Sequence, residues 1–281
     1  MPRFAPCPNT MYANDSDTTP ISLPDLALRK HSGTRIACVT AYEASIAARA
    51  DEAGVDLVLV GDSLGMVVQG HASTLAVTMD AMVYHCRCVA RGLRRAFLVA
   101  DLPFMAYRDV PTAFTNATRL VAEAGAAMVK LEGADWVCEV IAALSSREIP
   151  VCAHLGLTPQ SINRLGAYRV QGRDEAAAQR LREDARRVQA AGAQLLVLEC
   201  VPARLAAEIS DELTIPVIGI GAGPQCDGQI LVMHDLLGIT PGKRPRFSKD
   251  FLADSGSIPA AIAAYVQAVR AGSFPGPEHS Y

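Results

Sequence analysis

An apolar run that stops at an acid recurs four times along these 281 residues. Residues 55–60 lead into Gly61-Asp62-Ser63-Leu64-Gly65, residues 97–100 into Asp101, residues 127–131 into Glu132, and residues 194–198 into Glu199. The first run is β-branched and shows no polar alternation, as expected of a strand buried on both faces of a parallel sheet. In parallel α/β folds the chemistry gathers at the carboxyl ends of the strands. Four acids at four such ends point to one shared site, and Gly61 and Gly65 would let another chain or a ligand come close to it.

The rest of the chain alternates in the same rhythm. Strand patterns fall at 35–40, 55–60, 97–100, 127–131, 150–154, 195–198, 216–220 and 230–233. Helical patterns fall at 44–53, 78–94, 112–124, 134–147, 174–191, 204–213 and 259–271, with Thr78 and Asp80 placed to cap the second of them. Seven or eight βα units without a break in composition predict a single (β/α)8 TIM barrel, for which roughly 250 residues is typical. A doubly wound sheet would be expected to carry a Gly-rich fingerprint after its first strand, and none is there. Residues 22–28, with Ser22 as cap and Pro24 in the first turn, predict a short N-terminal helix closing the amino end of the barrel. Residues 1–19 read as a disordered extension, leaving 20–281 as the catalytic domain. Two places depart from the rhythm. Little room remains for a helix between 223 and 230, and residues 155–173 form a loop long enough to be a lid or disordered.

Composition excludes several classes. A net charge of −3 gives no reason to expect nucleic-acid binding or an anionic membrane surface. No apolar run approaches the roughly 20 residues of a membrane span, and no signal-peptide core follows Arg3. The eight cysteines include no CxxC pair, and Cys86-x-Cys88 has no partners at zinc spacing. A reducing cytoplasm is the expected compartment.

The acids at strand ends carry the chemical argument. Asp62, Asp101 and Glu132 offer hard oxygen donors with no thiolate or His-x-x-x-His nearby, which favours Mg²⁺ over zinc. Helix capping is the alternative for any one of them, but Glu is a poor N-cap. Lys130 lies two positions before Glu132, so on a strand both face the barrel lumen, where a lysine must be paired. Pairing with an anionic substrate, pairing with an acid alone, and Schiff-base chemistry all remain open for it. His154 is either an acid/base group or a hydrogen-bonded structural one. Gly219-Ile220-Gly221-Ala222-Gly223 resembles a phosphate grip after a seventh strand, or marks close backbone packing.

Longer motifs support a family resemblance. Thr40-Ala41-Tyr42, Gly61-Asp62-Ser63-Leu64-Gly65-Met66, Val68-Gln69-Gly70-His71 and Asp101-Leu102-Pro103-Phe104-Met105-Ala106-Tyr107 are among them. Met128-Val129-Lys130-Leu131-Glu132-Gly133, His154-Leu155-Gly156-Leu157-Thr158-Pro159-Gln160 and Leu198-Glu199-Cys200-Val201-Pro202 continue the series in register. From about Pro20 to Tyr281 the chain resembles the ketopantoate hydroxymethyltransferase family, of the phosphoenolpyruvate/pyruvate barrel superfamily. Small departures are Glu43 for a usual Asp, Val67 for Thr and Ala134 for Gly. The resemblance implies a homodecamer that uses Mg²⁺ and takes 5,10-methylenetetrahydrofolate as co-substrate. The implied reaction passes a hydroxymethyl group to 3-methyl-2-oxobutanoate, giving 2-dehydropantoate and tetrahydrofolate for pantothenate synthesis. By the same resemblance Asp62, Asp101 and Glu132 look like the metal site. Asp62, Ser63, Asp101 and Lys130 look like contacts to the 2-oxo acid, and Glu199 like the proton acceptor.

Overall fold

A computed structural model describes residues 19–242 and 244–281. The expected disordered extension therefore falls, except for Thr19, outside the described residues.

The chain begins with α1 (Leu23–Ser32), built as its sequence implies. Ser22 and Asp25 form a reciprocal capping box, Pro24 sits in the first turn, and Gly33 ends the helix in the left-handed region. Then β1 (Ile36–Thr40) leads to α2 (Ala44–Glu52), and β2 (Leu57–Val60) to the single turn α3 (Leu64–Val67) and to α4 (Met79–Gly92). β3 (Phe97–Asp101) precedes α5 (Val110–Thr118), and β4 (Met128–Glu132) precedes α6 (Val137–Ser145). β5 (Val151–Gly156) opens into the long loop, which carries the short α7 (Ile162–Leu165) before α8 (Glu175–Ala190). β6 (Leu195–Glu199), α9 (Ala203–Glu212), β7 (Val217–Ile220) and β8 (Gly228–Leu231) follow. The chain ends with α10 (Met233–Leu236), α11 (Leu252–Ser255) and α12 (Ile258–Ala271).

All eight strands are parallel and pair in chain order, and β8 pairs back onto β1, so the sheet closes into a barrel. This is the (β/α)8 architecture the alternating pattern predicts. The N-terminal helix closes the amino end. Its Lys30 Nζ reaches Asp227 just before β8 at 2.6 Å, and Arg29 pairs at 2.9 Å with Asp56 just before β2. Asp56 is fully buried and takes two more arginines, Arg95 and Arg270, so the bottom of the barrel is tied by charge as well as by packing.

Differences from the expected elements have local causes. The fifth helix begins at Val110, two residues early, because Asp109 caps it and Pro111 is accepted in its first turn; its last turn widens into a π-helix at Arg119–Glu123. The sixth begins at Val137, three residues late. Gly133 and Asp135 adopt positive φ, 101° and 45°, and hold the preceding turn out of helical register. Thr78 caps α4 as expected, whereas Asp80 instead pairs with Arg119 at 2.6 Å. β8 starts at Gly228, two residues before the expected position. A Cβ there would lie 2.4 Å from the Ile36 carbonyl oxygen, so only glycine lets β8 approach β1 this closely. Between β7 and β8 there is no helix, in keeping with the short interval in the sequence.

Candidate active site

Four carboxylates from four strands meet at the carboxyl end of the barrel. Asp62 is the second residue after β2, and Asp101, Glu132 and Glu199 are the last residues of β3, β4 and β6. β5 contributes His154 between them. Asp62, Asp101, Lys130, Glu132 and His154 are all buried, and the Glu199 side chain is 15% exposed. The close approach that glycine permits is used by the site itself. A Cβ on Gly61 would lie 2.8 Å from Ser63 Oγ and 3.5 Å from Asp101 Oδ2. At Gly156, in the left-handed region at φ 88°, it would lie 2.3 Å from the Glu199 carbonyl oxygen. The residue after Glu199, Cys200, also holds a positive φ of 49°, a backbone strain of the kind found beside functional groups.

A connected set of bonds orients the acids. Asp101 Oδ1 accepts from Lys130 Nζ at 2.6 Å, and its Oδ2 accepts from the Asp62 backbone N–H at 2.9 Å. Gln160, in the long loop after β5, donates from Nε2 to Asp62 Oδ2 at 2.8 Å and to the Leu102 carbonyl at 3.1 Å. Its backbone N–H donates to Glu132 Oε2 at 3.0 Å, and its Oε1 accepts from the Tyr107 hydroxyl at 2.8 Å. Ser63 Oγ shares a 2.8 Å hydrogen bond with the Tyr42 hydroxyl. His154 lies 3.2 Å from Glu132 through Nδ1 and 3.3 Å from Glu199 through Nε2. Both contacts are close, yet among the described residues neither ring nitrogen aligns for a hydrogen bond, and Glu132 Oε1 is likewise buried without a donor.

The electrostatics follow from four acids around one lysine. Burial pushes Asp62 well above the usual carboxylate range, and the nearby Asp101 and Glu132 charges add to it. Burial also lifts Glu132, to about 7, although Lys130 opposes the shift. Burial alone would lower Lys130, but Asp101, Glu132 and Asp62 outweigh it and hold the ammonium charged. Burial and then Lys130 push His154 down, keeping the ring neutral. Glu199 is raised by burial, with His154 pulling the other way.

Among the described residues no three His, Cys, Asp or Glu side chains converge on one point a metal ion could occupy. The donors present nevertheless fit a magnesium ion, which commonly takes only one or two protein carboxylates and completes its shell with substrate and water. Among the described residues Asp62 Oδ1 accepts no hydrogen bond and Glu132 Oε1 is an orphaned buried acceptor, so each has an oxygen free for a cation.

The structure thus brings together every residue singled out for the site. Sequence reasoning gave no role to Gln160, Tyr107 or Tyr42. Gln160 and Tyr107 stand inside motifs that were visible, but no spacing rule assigns a neutral side chain from a loop to a strand-end acid. The Gly219–Gly223 stretch is not shaped as an open phosphate grip. Added Cβ atoms on Gly221 and Gly223 would meet Phe247 and Ala203 at 2.9 and 2.4 Å, so these glycines serve packing.

Solved structures with the same fold include phosphonopyruvate hydrolase, with a TM-score of 0.58 over 75% of this chain and 82% of that one, at 15% identity. Another is 2,3-dimethylmalate lyase, a PEP mutase/isocitrate lyase superfamily member, with a TM-score of 0.55 over 90% of this chain and 99% of that one, also at 15% identity. Fold and site define a (β/α)8-barrel enzyme whose acids and lysine stand at the carboxyl ends of its strands. Sequence comparison narrows this further. The family model described as ketopantoate hydroxymethyltransferase matches residues 20–277. A 3-methyl-2-oxobutanoate hydroxymethyltransferase of Burkholderia multivorans is 55% identical over 96% of this chain and 99% of its own length. One of Marinobacter nauticus is 57% identical over 93% and 98%. The chain belongs to the ketopantoate hydroxymethyltransferase family.

Proposed function

We propose that the protein transfers a hydroxymethyl group from 5,10-methylenetetrahydrofolate to 3-methyl-2-oxobutanoate, giving 2-dehydropantoate and tetrahydrofolate for pantothenate synthesis. Family membership and near full-length relatives named 3-methyl-2-oxobutanoate hydroxymethyltransferase support hydroxymethyl transfer to that acid. The observation that carries the site assignment is the buried group of Asp62, Asp101, Lys130 and Glu132 beside the partly exposed Glu199.

In this reading Asp62, Asp101 and Glu132 would hold Mg²⁺, which would supply Lewis-acid polarisation of the keto and carboxylate oxygens of the 2-oxo acid. Lys130, kept protonated by its ion pair with Asp101, directs charge toward the oxo-acid oxygens, and Ser63 offers its hydroxyl to them. Tyr42 orients that hydroxyl from behind. Glu199 accepts the C3 proton of the acid, and its raised affinity for a proton suits a base working near neutral pH. Neutral His154 stands between Glu199 and Glu132 and separates two acids that would otherwise repel. The long loop after β5 is tied to the site, with Gln160 bonded to Asp62 and the Tyr168 hydroxyl reaching Met66 Sδ at 3.5 Å. The same reading takes the chain as one subunit of a homodecamer in the cytoplasm, supported by family membership alone. No helix among the described residues is long and apolar enough to cross a membrane.

Turnover of 5,10-methylenetetrahydrofolate with 3-methyl-2-oxobutanoate, with and without chelator, tests the reading. Formation of 2-dehydropantoate that stops with chelator and returns with Mg²⁺ is expected. Turnover of the oxo acid without any need for folate would instead place the protein among carbon–carbon lyases.

A further inference from the structure

A cleft of about 290 Å³ opens beside the acid cluster, between the loops that follow β3 and β4. Phe104, Met105, Trp136 and Arg164 line it, and Glu132 and Gln160 form its inner wall, so it is continuous with the site described above. The proposed reaction needs a second, much larger substrate to reach the oxo acid from one side, and the mechanism assigns this cleft no occupant.

We propose that the cleft holds the fused ring system of the reduced folate, stacked against Trp136, with the anionic tail directed to Arg164. The inference rests on the folate reading above and gives that co-substrate a place. Trp136 lies nearly parallel to Tyr107, with ring centroids 5.7 Å apart at 16°, and Tyr107 is itself buried and bonded to Gln160. One face of the indole is thereby fixed while half of the residue, 52%, remains exposed. A flat aromatic platform fixed from behind is what a planar heterocycle needs. Phe104 and Met105, each 45% exposed, add apolar surface on the opposite loop. Both loops are held in costly backbone conformations, with φ of 61° at Met105 and 45° at Asp135, so the walls are shaped rather than left to relax. The volume lies at the small end of the roughly 300–1,000 Å³ usual for ligand sites. It suits a bicyclic ring and leaves the aminobenzoyl-glutamate portion at the surface. There Arg164 makes no ion pair or hydrogen bond among the described residues, and its planar fork matches a carboxylate.

Trp136 is the only tryptophan in the chain, so its emission reports on the cleft directly. Tetrahydrofolate titrated into the wild-type protein should quench that emission saturably, at concentrations matching its inhibition of turnover. Arg164→Ala should raise the KM for 5,10-methylenetetrahydrofolate about tenfold, as expected for a lost charged contact, and leave the KM for the oxo acid unchanged. Inhibition by tetrahydrofolate with no change in Trp136 emission, or an unchanged folate KM in Arg164→Ala, would overturn the assignment while leaving the folate reaction intact. Failure of the wild-type protein to use 5,10-methylenetetrahydrofolate at all would overturn both.

Discussion

Gln160 joins Asp62 through a 2.8 Å hydrogen bond that spans 98 residues of sequence. It ties the loop after β5 to the acid that follows β2, and with its backbone N–H it also holds Glu132. One neutral residue therefore holds two of the buried acids, Asp62 through its side chain and Glu132 through its backbone. Gln160→Ala would leave Asp62 Oδ2 and the Leu102 carbonyl without this partner, and the Tyr107 hydroxyl with only its longer contacts to the Glu132 backbone. Unmet buried polar groups cost about 1–3 kcal/mol each before water enters. A lowered melting temperature is expected together with a fall in kcat. A variant with wild-type melting and activity would show that the bond orients nothing.

Asp62→Asn keeps the shape of the side chain but removes one buried negative charge. If Asp62 holds the cation, Mg²⁺ should raise the melting temperature of the wild type, and the variant should fold normally but lose both that rise and Mg²⁺-dependent activity. An unchanged Mg²⁺ titration would reduce the carboxylate to an acceptor for Gln160.

Lys130 and Asp101 form an ion pair at 2.6 Å in which both partners are buried. A lysine so held stays protonated and cannot attack a carbonyl, since Schiff-base formation needs the neutral amine. Borohydride added with the oxo acid should trap nothing. Lys130→Ala should chiefly raise the oxo-acid KM, because the contact is made in both ground and transition states. A reduced adduct on Lys130 would reverse the assignment.

Glu43 caps α2 by accepting from the Ser45 and Ile46 backbone N–H groups, each at 2.7 Å. Burial tends to raise its pKa, but these bonds and the Ser45 hydroxyl outweigh it and hold the carboxyl below its ordinary value. A depressed folded pKa contributes stability above the unfolded value near 4.5, and that contribution is lost as pH falls through the lower folded value. Glu43→Ala should cost about 1 kcal/mol at neutral pH, the usual worth of an N-cap, and progressively less in acid. Equal losses in urea melts at pH 7 and pH 3 would refute the charged cap.

The barrel was legible because parallel strands buried on both faces leave continuous apolar runs, and the acids that end them mark the catalytic end. Asp62, Asp101, Glu132 and Glu199 could be placed at one site from that pattern. Lys130 and Glu132 could be placed in the lumen from their two-residue spacing. What the pattern lacks is any record of contacts between loops. Gln160 and Tyr107 act through bonds to distant strands, and no local periodicity encodes them. The same limit explains β8, whose start is set by a close approach of Gly228 to Ile36 rather than by its own hydrophobicity. It also explains Glu43, a residue type that rarely caps a helix but here reaches back to do so.

The central claim is that Glu199 removes the C3 proton of 3-methyl-2-oxobutanoate, and it can be tested without folate. In deuterated solvent with Mg²⁺, the wild-type protein should exchange that proton, followed by NMR. Because burial raises the Glu199 pKa and the base form is the carboxylate, exchange should grow as pH rises through that pKa, above the ordinary 4.5. Glu199→Gln should still bind the oxo acid but lose exchange by roughly 10²–10⁴-fold, the usual cost of a removed general base. Exchange at the wild-type rate in Glu199→Gln would contradict the account and transfer the role to another group, His154 first.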